Sequence, residues 1–346
     1  MRNLIFNNCG TAIIMLWDWD WTFQGLSINN CGVGIDMSAG GSTGQQVGSI
    51  IVIDSSFTNV PVGVVTAYTA SGTPDAAGSL ILENIALSNV PVAVRSNGAT
   101  VLAGTAGTTT IAGWGQGHAY TLTSGKTDFQ GIITPNSRPA VLLGSGNRYY
   151  TQAKPQYESL SASDFVSVRS SGAVGNGATD DTAALQRAID TAAAAGKVVY
   201  IDYGLYLITS TLRVPPGSRI VGETWPVIMA SGSYFGNINA PQVAVQIGTA
   251  GQTGTVALSD FIVAGKGAVP GATMIEYNLA SPAGSPSGLW DVHVRVGGFT
   301  GSNLQVAQCE KTPGSSNINS ACIGAYMSMH VTQGSGGLYM ENVWLW

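Results

Sequence analysis

A short string that recurs along the chain constrains its fold more than any other feature. Asn7-Asn8-Cys9-Gly10 returns as Asn29-Asn30-Cys31-Gly32, and Asn59-Val60-Pro61-Val62 returns as Asn89-Val90-Pro91-Val92, each followed by another apolar strand. A second pattern (apolar, any, Asn/Asp/Gly, apolar, any, apolar) is spelled MRNLIF at Met1, FQGLSI at Phe23 and LENIAL at Leu82. It resumes as LSDFIV at Leu258, LWDVHV at Leu289 and MENVWL at Met340. Self-similarity at a period of roughly 20 to 50 residues signals a solenoid or a propeller. Propeller blades carry signatures of their own, and none is present. The alternation, the Gly-rich corners and the Asn at equivalent bends therefore predict an all-β chain wound as right-handed parallel β-helices, with side-chain amides stacked from coil to coil. The segments at Met1, Phe23 and Leu82 should lie in parallel register in one solenoid, and those at Leu258, Leu289 and Met340 in another.

The breaks in the repeat give the organisation. Coils run from Met1 to about Ala112; Gly113 to Arg148 reads as irregular, with GWGQGH, TSGKTD and TPNSRP as loops. Residues 149–163, YYTQAKPQYESLSAS, read as a tether. A second β-helix opens at Asp164 with the one clear helix: Leu185, Ala188, Ile189 and Ala192 share a face, Thr179, Asp180 and Asp181 offer capping groups, and Gly196 is placed to stop it. This short helix should cover the first coil of the second solenoid. Strands are expected at Lys197–Ile201, Leu205–Ile208, Leu212–Val214 and Arg219–Val221. The domains are thus 1–148, the tether 149–163, and 164–346. Met1 leads straight into a strand without a signal-peptide cleavage site, and Trp346 ends inside a strand pattern, so the expectation is an internal piece of a longer protein.

Composition narrows the partners. The 346 residues include 46 glycines and are 45% apolar but only 10% charged, a mixture that disorder does not have. A net charge of −5 and a pI near 5.1 leave no basic footprint for nucleic acid. No apolar run approaches the ~20 residues of a membrane span. A neutral, polar partner fits this balance.

Candidate chemistry is sparse. Glu276, between Ile275 and Tyr277, and Asp291, beside Trp290, are the carboxylates with the most site-like surroundings; the plainer alternative is that each is a turn acid bonding backbone amides at a coil corner. Trp17, Trp19 and Trp21 alternate with Asp18 and Asp20, which in a strand sets the rings on one face and the carboxylates on the other. The rings suit sugar stacking, or core packing. Trp225, in the turn GETWP, has the same two readings, and Trp290 is grouped with these as a weak substrate-binding candidate. His118, His293 and His330 lack a metal-ligand spacing, so no metal is proposed, and GAVGNG lacks the Lys-Ser/Thr of a phosphate loop, so no cofactor is implied. Cys309 and Cys322 bracket the polar excursion EKTPGSSNINSA, and a disulfide there suggests an oxidising, extracellular setting. Cys9 and Cys31 occupy equivalent repeat positions and are read as stacked on adjacent coils, where the ~4.8 Å strand spacing would permit a disulfide and a reduced pair, packed as small hydrophobes, is preferred.

VSVRSSGAVGNGATDDTAALQRAI and LRVPPGSRIVGE resemble the opening of pectate-lyase-like β-helix domains, a group of polysaccharide lyases, hydrolases and phage tailspikes. The wider arrangement is more specific: MRNLIFNNCGTAI, WDWDWTF, INNCGVGIDMS, KPQYE, VIMASGSYFG, GLWDVHVRVGGFTGSNLQVAQC and YMSMHVTQGSGGLYMENVWLW together resemble fungal exo-β-1,3-glucanases of glycoside hydrolase family 55. Asp202-Tyr203-Gly204-Leu205-Tyr206 stands where the superfamily more often has Pro-x-Gly-x-Tyr. The resemblance implies tandem β-helices, a secreted, monomeric, inverting hydrolase of β-1,3-glucan, and a catalytic Glu beyond Trp346, so that this stretch alone is expected to be inactive. On the residues alone a polygalacturonase or lyase, and a glycan-binding β-helix without turnover, stay open as alternatives.

Overall fold

The computed structural model describes residues 1–42 and 44–346. The chain divides into two compact units, Met1–Tyr150 and Thr151–Trp346.

Unit 1 is wound from short strands whose neighbours come one coil later. Ile5–Asn7 pairs in parallel with Ser27–Asn29, which pairs with Ser56–Thr58, which pairs with the middle of the long strand Ser79–Ser96. Asp18–Gln24 and Val47–Ile53 stack on a second wall, and Thr11–Ile14, Val33–Asp36 and Val62–Thr66 on a third. The two tight corners between walls take a left-handed backbone, which ordinary side chains resist and Gly, Asn and Asp tolerate. The sequence supplies these in columns: Asn3, Gly25, Asp54 and Asn84 at one corner, and Asn8, Asn30, Asn59 and Asn89 at the next, all with φ between 52° and 68°. The amides then join up the column, Asn59 Nδ2 donating to Asn30 Oδ1 at 2.9 Å and Asn89 Nδ2 to Asn59 Oδ1 at 3.0 Å. Inside, Phe23, Leu26, Ile28, Ile35, Ile50, Val52, Phe57 and Leu80 form the core. Asn59→Ala removes both amide bonds and places a Cβ at an unfavourable φ; it should cost about 1–2 kcal/mol in denaturant unfolding. Asn59→Gly should recover the backbone part of that loss.

The region from Gly113 onward is not irregular. Ala99–Thr121 runs antiparallel along Ser79–Ser96, and Gly125–Ile132 folds back on it. Thr and Gly dominate these strands and their side chains are largely exposed, so no apolar alternation marks them in the sequence. An antiparallel strand satisfies the backbone groups along the free edge of the last coil.

The segment after this hairpin is clamped to unit 1 by a buried ion cluster. Arg138 Nη1 lies 2.7 Å from Asp54 Oδ1 and Nη2 lies 2.8 Å from Glu83 Oε1, with the two carboxylate side chains only 1% and 4% exposed. Asn136 Nδ2 donates to Glu83 Oε2 at 3.0 Å, the Tyr149 amide donates to Asp54 Oδ2 at 2.7 Å, and the Arg138 guanidinium sits 4.3 Å from the Tyr149 ring centre.

Unit 2 repeats the plan with longer excursions. One wall stacks Phe165–Ser167, Val198–Ile201, Arg219–Gly222, Ala257–Gly265, Ser287–Arg295 and Leu338–Glu341 in parallel. A second stacks Asn176–Asp180, Leu205–Ile208 and Val227–Ala230, reaching the far half of Ala257–Gly265. The third carries Leu212–Val214, Gln242–Ile247, Ala272–Tyr277 and Met327–Val331. The helix Thr182–Ala195 turns Leu185, Ala188, Ile189 and Ala192 into the core, and Gly196 ends it at φ 61°. Asp181 sits at the helix start, but its carboxylate takes the amides of Val174 and Gly175, while Asp180 accepts from the Thr182 amide at 3.0 Å.

The registers follow the sequence pattern. Arg2 bridges Gln24 and Phe6 meets Ile28; Phe23 meets Val52, which meets Leu82; Leu258 meets Leu289, which meets Met340. Cys309 and Cys322 are disulfide-bonded with Cα atoms 5.8 Å apart. Cys9 and Cys31 are free, the Cys9 amide donating to Cys31 Sγ at 3.3 Å. The stretch 149–163 does not hang between anchors. Its Lys154 ammonium is held by Asp260 and by Asp291 Oδ2, the latter at 2.9 Å, and the carbonyl of Gln152 accepts from the Trp290 indole at 3.2 Å.

Candidate functional site

Residues that point out of a solenoid wall line up from coil to coil as strictly as those that point in. On unit 2, register places Leu205, Val227, Ile262 and His293 side by side on successive strands, and the Val294–Leu345 bridge sets Trp344 next in the row. Two residues along, Leu207, Met229, Ala264 and Arg295 form a parallel row that ends at Trp346. Val227, Met229 and Ala264 are buried in a small apolar cluster of their own, with Leu205, Leu207, Ile262 and Phe299 packed on it.

Trp225 overhangs this face from a strained turn. Thr224 and Trp225 both have positive φ, 51° and 62°, a conformation that costs a residue with Cβ roughly 1–2 kcal/mol. For a bulky side chain such geometry is uncommon, and strain of this kind clusters at functional sites. The turn is fixed by the Val227 amide donating to the Gly204 carbonyl and the Ile262 amide donating to the Pro226 carbonyl, both at 2.9 Å.

Two cavities open on the face. One, of about 280 Å³, is lined by Trp225, Ile262, His293, Arg295, Asn342, Trp344 and Trp346. The other, of about 390 Å³, is lined by Tyr203, Gly204, Leu205, Trp225, Val227, Ile262, Arg295, Phe299 and Thr300. They share Trp225, Ile262 and Arg295, so they form one groove. Its rings are linked: Trp225 to His293 at 6.1 Å, His293 to Trp344 at 6.3 Å and Trp344 to Trp346 at 5.2 Å between centroids. The Arg295 guanidinium lies over Phe299 at 5.4 Å and over Trp346 at 5.6 Å, which fixes its plane.

His293 Nδ1 faces the Trp344 amide at 3.3 Å, which makes it the acceptor and leaves the proton of the neutral ring on Nε2. Burial holds its pKa below the ordinary value, against the weaker upward pull of Asp291 and Asp260. A lowered histidine pKa stabilises the fold fully above the unfolded value of about 6.5, and that contribution is lost as pH falls through this value toward the folded one. An NMR titration of His293 should therefore inflect below 6.5, and His293→Gln should flatten that part of the pH–stability profile.

Aromatic faces with a few placed donors and acceptors suit a pyranose, whose C–H faces stack while its hydroxyls take hydrogen bonds. Among the described residues no Asp or Glu lines the groove, so the carboxylate pair that glycoside hydrolysis commonly uses is not among these walls. A larger cavity, about 840 Å³, lies along the helix between Asp180, Gln186, Asp190, Thr209, Arg213 and Gln252, and none of its described lining residues is aromatic.

The residues singled out in the sequence fall in different places. Trp225 lines the groove. Trp290 does not: it is 1% exposed, packed against Gly288 and bonded to the carbonyl of Gln152, so its ring offers no face to a ligand. Asp291 is a left-handed corner residue at φ 54°, stacked between Asp260 and Asn342 and bonded to Lys154 and Asn342. Glu276 stands in an outward row between Gln246 and His330, accepting from Asn278 Nδ2 at 3.0 Å and facing His330 Nδ1 at 3.4 Å, outside the aromatic groove. In unit 1, Trp17 and Trp19 are exposed with centroids 5.5 Å apart, while Trp21 stacks on the core residue Phe23 at 5.7 Å. The carboxylates do not share an outer face. Asp18 is buried against the Gly48 amide, its Oδ2 lacks a hydrogen-bond partner among the described residues, and burial pushes its pKa up, opposed by that amide and aided by Asp20.

His293, Arg295, Trp344 and Trp346 were not singled out as binding residues from the sequence. The signal was a doublet at strand spacing, His-x-Arg in LWDVHVR and Trp-x-Trp in VWLW one coil later. Among the described residues no three His, Cys, Asp or Glu side chains gather as a metal site, and no helix is long and apolar enough to cross a membrane.

Coils of parallel strands with a single helix are the architecture of the pectate-lyase-like β-helix fold. The family model described as rhamnogalacturonase A/epimerase, pectate lyase-like, matches residues 1–36 and 165–281. Over all of its length the chain is 48% identical to a glucan 1,3-beta-glucosidase of Cochliobolus carbonum, of which it covers 43%. It is 35% identical, again over its whole length, to a probable glucan endo-1,3-beta-glucosidase of Arthroderma benhamiae, covering 50% of that protein. It is 39% identical over 99% of its length to a protein of Penicillium expansum named as a non-secreted LysM effector, covering 27% of it. The chain spans half or less of each of these proteins.

Proposed function

We propose that this chain is part of a secreted hydrolase that releases glucose from β-1,3-glucan with inversion, and that the unit 2 groove holds the glucan. The observation that carries the reading is the 48% identity, end to end, with a protein named glucan 1,3-beta-glucosidase. The aromatic groove supports it, since stacked rings with one guanidinium and one neutral imidazole suit an uncharged sugar. Exo-cleavage is favoured by that relative over the endo-acting name at 35% identity. A general acid elsewhere in the protein is supported by the lack of a carboxylate among the described residues that line the groove. The Cys309–Cys322 bond supports an oxidising, extracellular setting.

The test is to give laminarin and polygalacturonate to the complete gene product. Release of α-glucose from laminarin, with polygalacturonate untouched, is expected; cleavage of polygalacturonate would overturn the reading. A second reading, glycan binding without turnover, is favoured by the acid-free groove. It predicts laminarin binding with no glucose released.

A further inference from the structure

We propose that Cys9 and Cys31 are a modification site, two stacked thiols that a low-molecular-weight disulfide of the extracellular medium converts into a covalent staple between neighbouring coils of unit 1. The inference stands apart from the glucan reading. Strand pairing advances by the same step on both sides of the corner that carries the two cysteines, Asn7 meeting Asn29 before it and Thr11 meeting Val33 after it. Cys9 therefore lies directly against Cys31. The Gly32 amide donates to the Cys9 carbonyl at 3.0 Å, and the Cys9 amide donates to Cys31 Sγ at 3.3 Å. Each thiol also donates to the carbonyl two residues before it on its own coil, Cys9 to Asn7 at 3.6 Å and Cys31 to Asn29 at 3.3 Å, so the side chains share one orientation. Adjacent strands stand ~4.8 Å apart, inside the ~4.4–6.8 Å between Cα atoms that a disulfide spans.

The column shows what the cysteines add. The residue after the left-handed Asn of this corner is Cys9, Cys31, Val60 and Val90 on successive coils, and both valines are fully buried. Valine meets the packing need of this position. Cysteine takes its place on two consecutive coils, and the other two cysteines of the chain are already bonded to each other. Access is one-sided, since Cys9 is half-buried and Cys31 is 2% exposed. Exchange thus begins at Cys9. Its thiolate attacks one sulfur of the small disulfide and releases a thiolate, which takes up a proton; the Cys31 thiolate then attacks Cys9 Sγ in the mixed disulfide and expels the second thiol. Two protein thiols are oxidised and one small disulfide is reduced to two thiols. Desolvation and the neighbouring Cys31 thiol hold the Cys9 pKa above the ordinary value, so closure quickens as pH rises. The bond closes a ring over one whole coil, with Thr11–Ile14, Asp18–Gln24 and Ser27–Asn29 inside it.

The experiment exposes the complete gene product to reduced or to oxidised glutathione, blocks free thiols, digests without reduction and maps the fragments by mass. Oxidation should yield a linked Cys9–Cys31 fragment two hydrogens lighter than the sum of its parts, formed several-fold faster at pH 9 than at pH 7. It should also raise the urea midpoint by about 1 M, the shift a ring of this size gives. The double variant Cys9→Val with Cys31→Val, which extends the valine column, should unfold as the reduced protein does and show no such shift under the same treatment. Both thiols found blocked after oxidation, or glutathione retained on Cys9 without ring closure, would overturn the site. A linked fragment with an unmoved midpoint, or an equal shift in the double variant, would overturn the staple.

Discussion

Trp225→Gly should stabilise the protein by about 1 kcal/mol and, in the same variant, weaken laminari-oligosaccharide binding by roughly thirty-fold, the effect of a hot spot worth about 2 kcal/mol. The two signs come from one residue. Its φ of 62° is open to Gly without strain, while its indole, 48% exposed, forms a wall of both cavities. A side chain kept for folding would show losses in stability on removal; one kept for a ligand at the expense of the backbone shows the reverse. Denaturant unfolding and titration calorimetry on the same preparation decide it. A Gly variant that is less stable and binds as before would mean that the ring serves packing.

Arg138→Met should have the largest effect on stability, a loss of about 3–5 kcal/mol, because it strands two nearly inaccessible carboxylates, Asp54 and Glu83, without their cation. Removing all three charges together, as Arg138→Met, Asp54→Asn and Glu83→Gln, should return much of that loss, since the penalty is the uncompensated charge and not the absence of an ion pair. Asp54 is also a left-handed corner residue that Asn can replace without backbone cost. A single Arg138 variant with an unchanged urea midpoint would show that water reaches the cluster.

The solenoid was legible because its determinants are local. A left-handed corner admits Asn, Asp or Gly, so the columns Asn30, Asn59, Asn89 and Asp260, Asp291, Asn342 appear in the sequence as a repeated residue. The helix was legible for the same reason, through a 3.6-residue stripe and Gly196. The groove was not. His293 and Trp344 become neighbours through inter-coil register, and the 42 residues from Val296 to Gly337, disulfide loop included, separate the strand that carries His293 from Leu338–Glu341, the strand that Trp344 follows. The strands Ala99–Thr121 and Gly125–Ile132 escaped detection because their faces are largely exposed and their Thr and Gly residues carry no alternation. Asp291 and Trp290 looked like a site because an acid beside an indole is a common binding pair; their roles are set by Lys154 and Gln152, more than a hundred residues away.

Parallel register with unequal loops has an evolutionary consequence. Val198 meets Arg219 after 21 residues, whereas Leu289 meets Met340 after 51, yet both pairs belong to the same wall. Lengthening a loop leaves the pairing on either side intact, and each doubling of its length adds only ~0.6 kcal/mol of closure entropy. The alignment with the Arthroderma relative runs to 441 positions against 346 residues here. Such insertions can accumulate at the rims of the coils, where they can reshape the walls of the groove while its floor of in-register strands stays fixed. A lineage on this scaffold can therefore change the shape of the ligand it admits through insertions alone, without revising a single core residue.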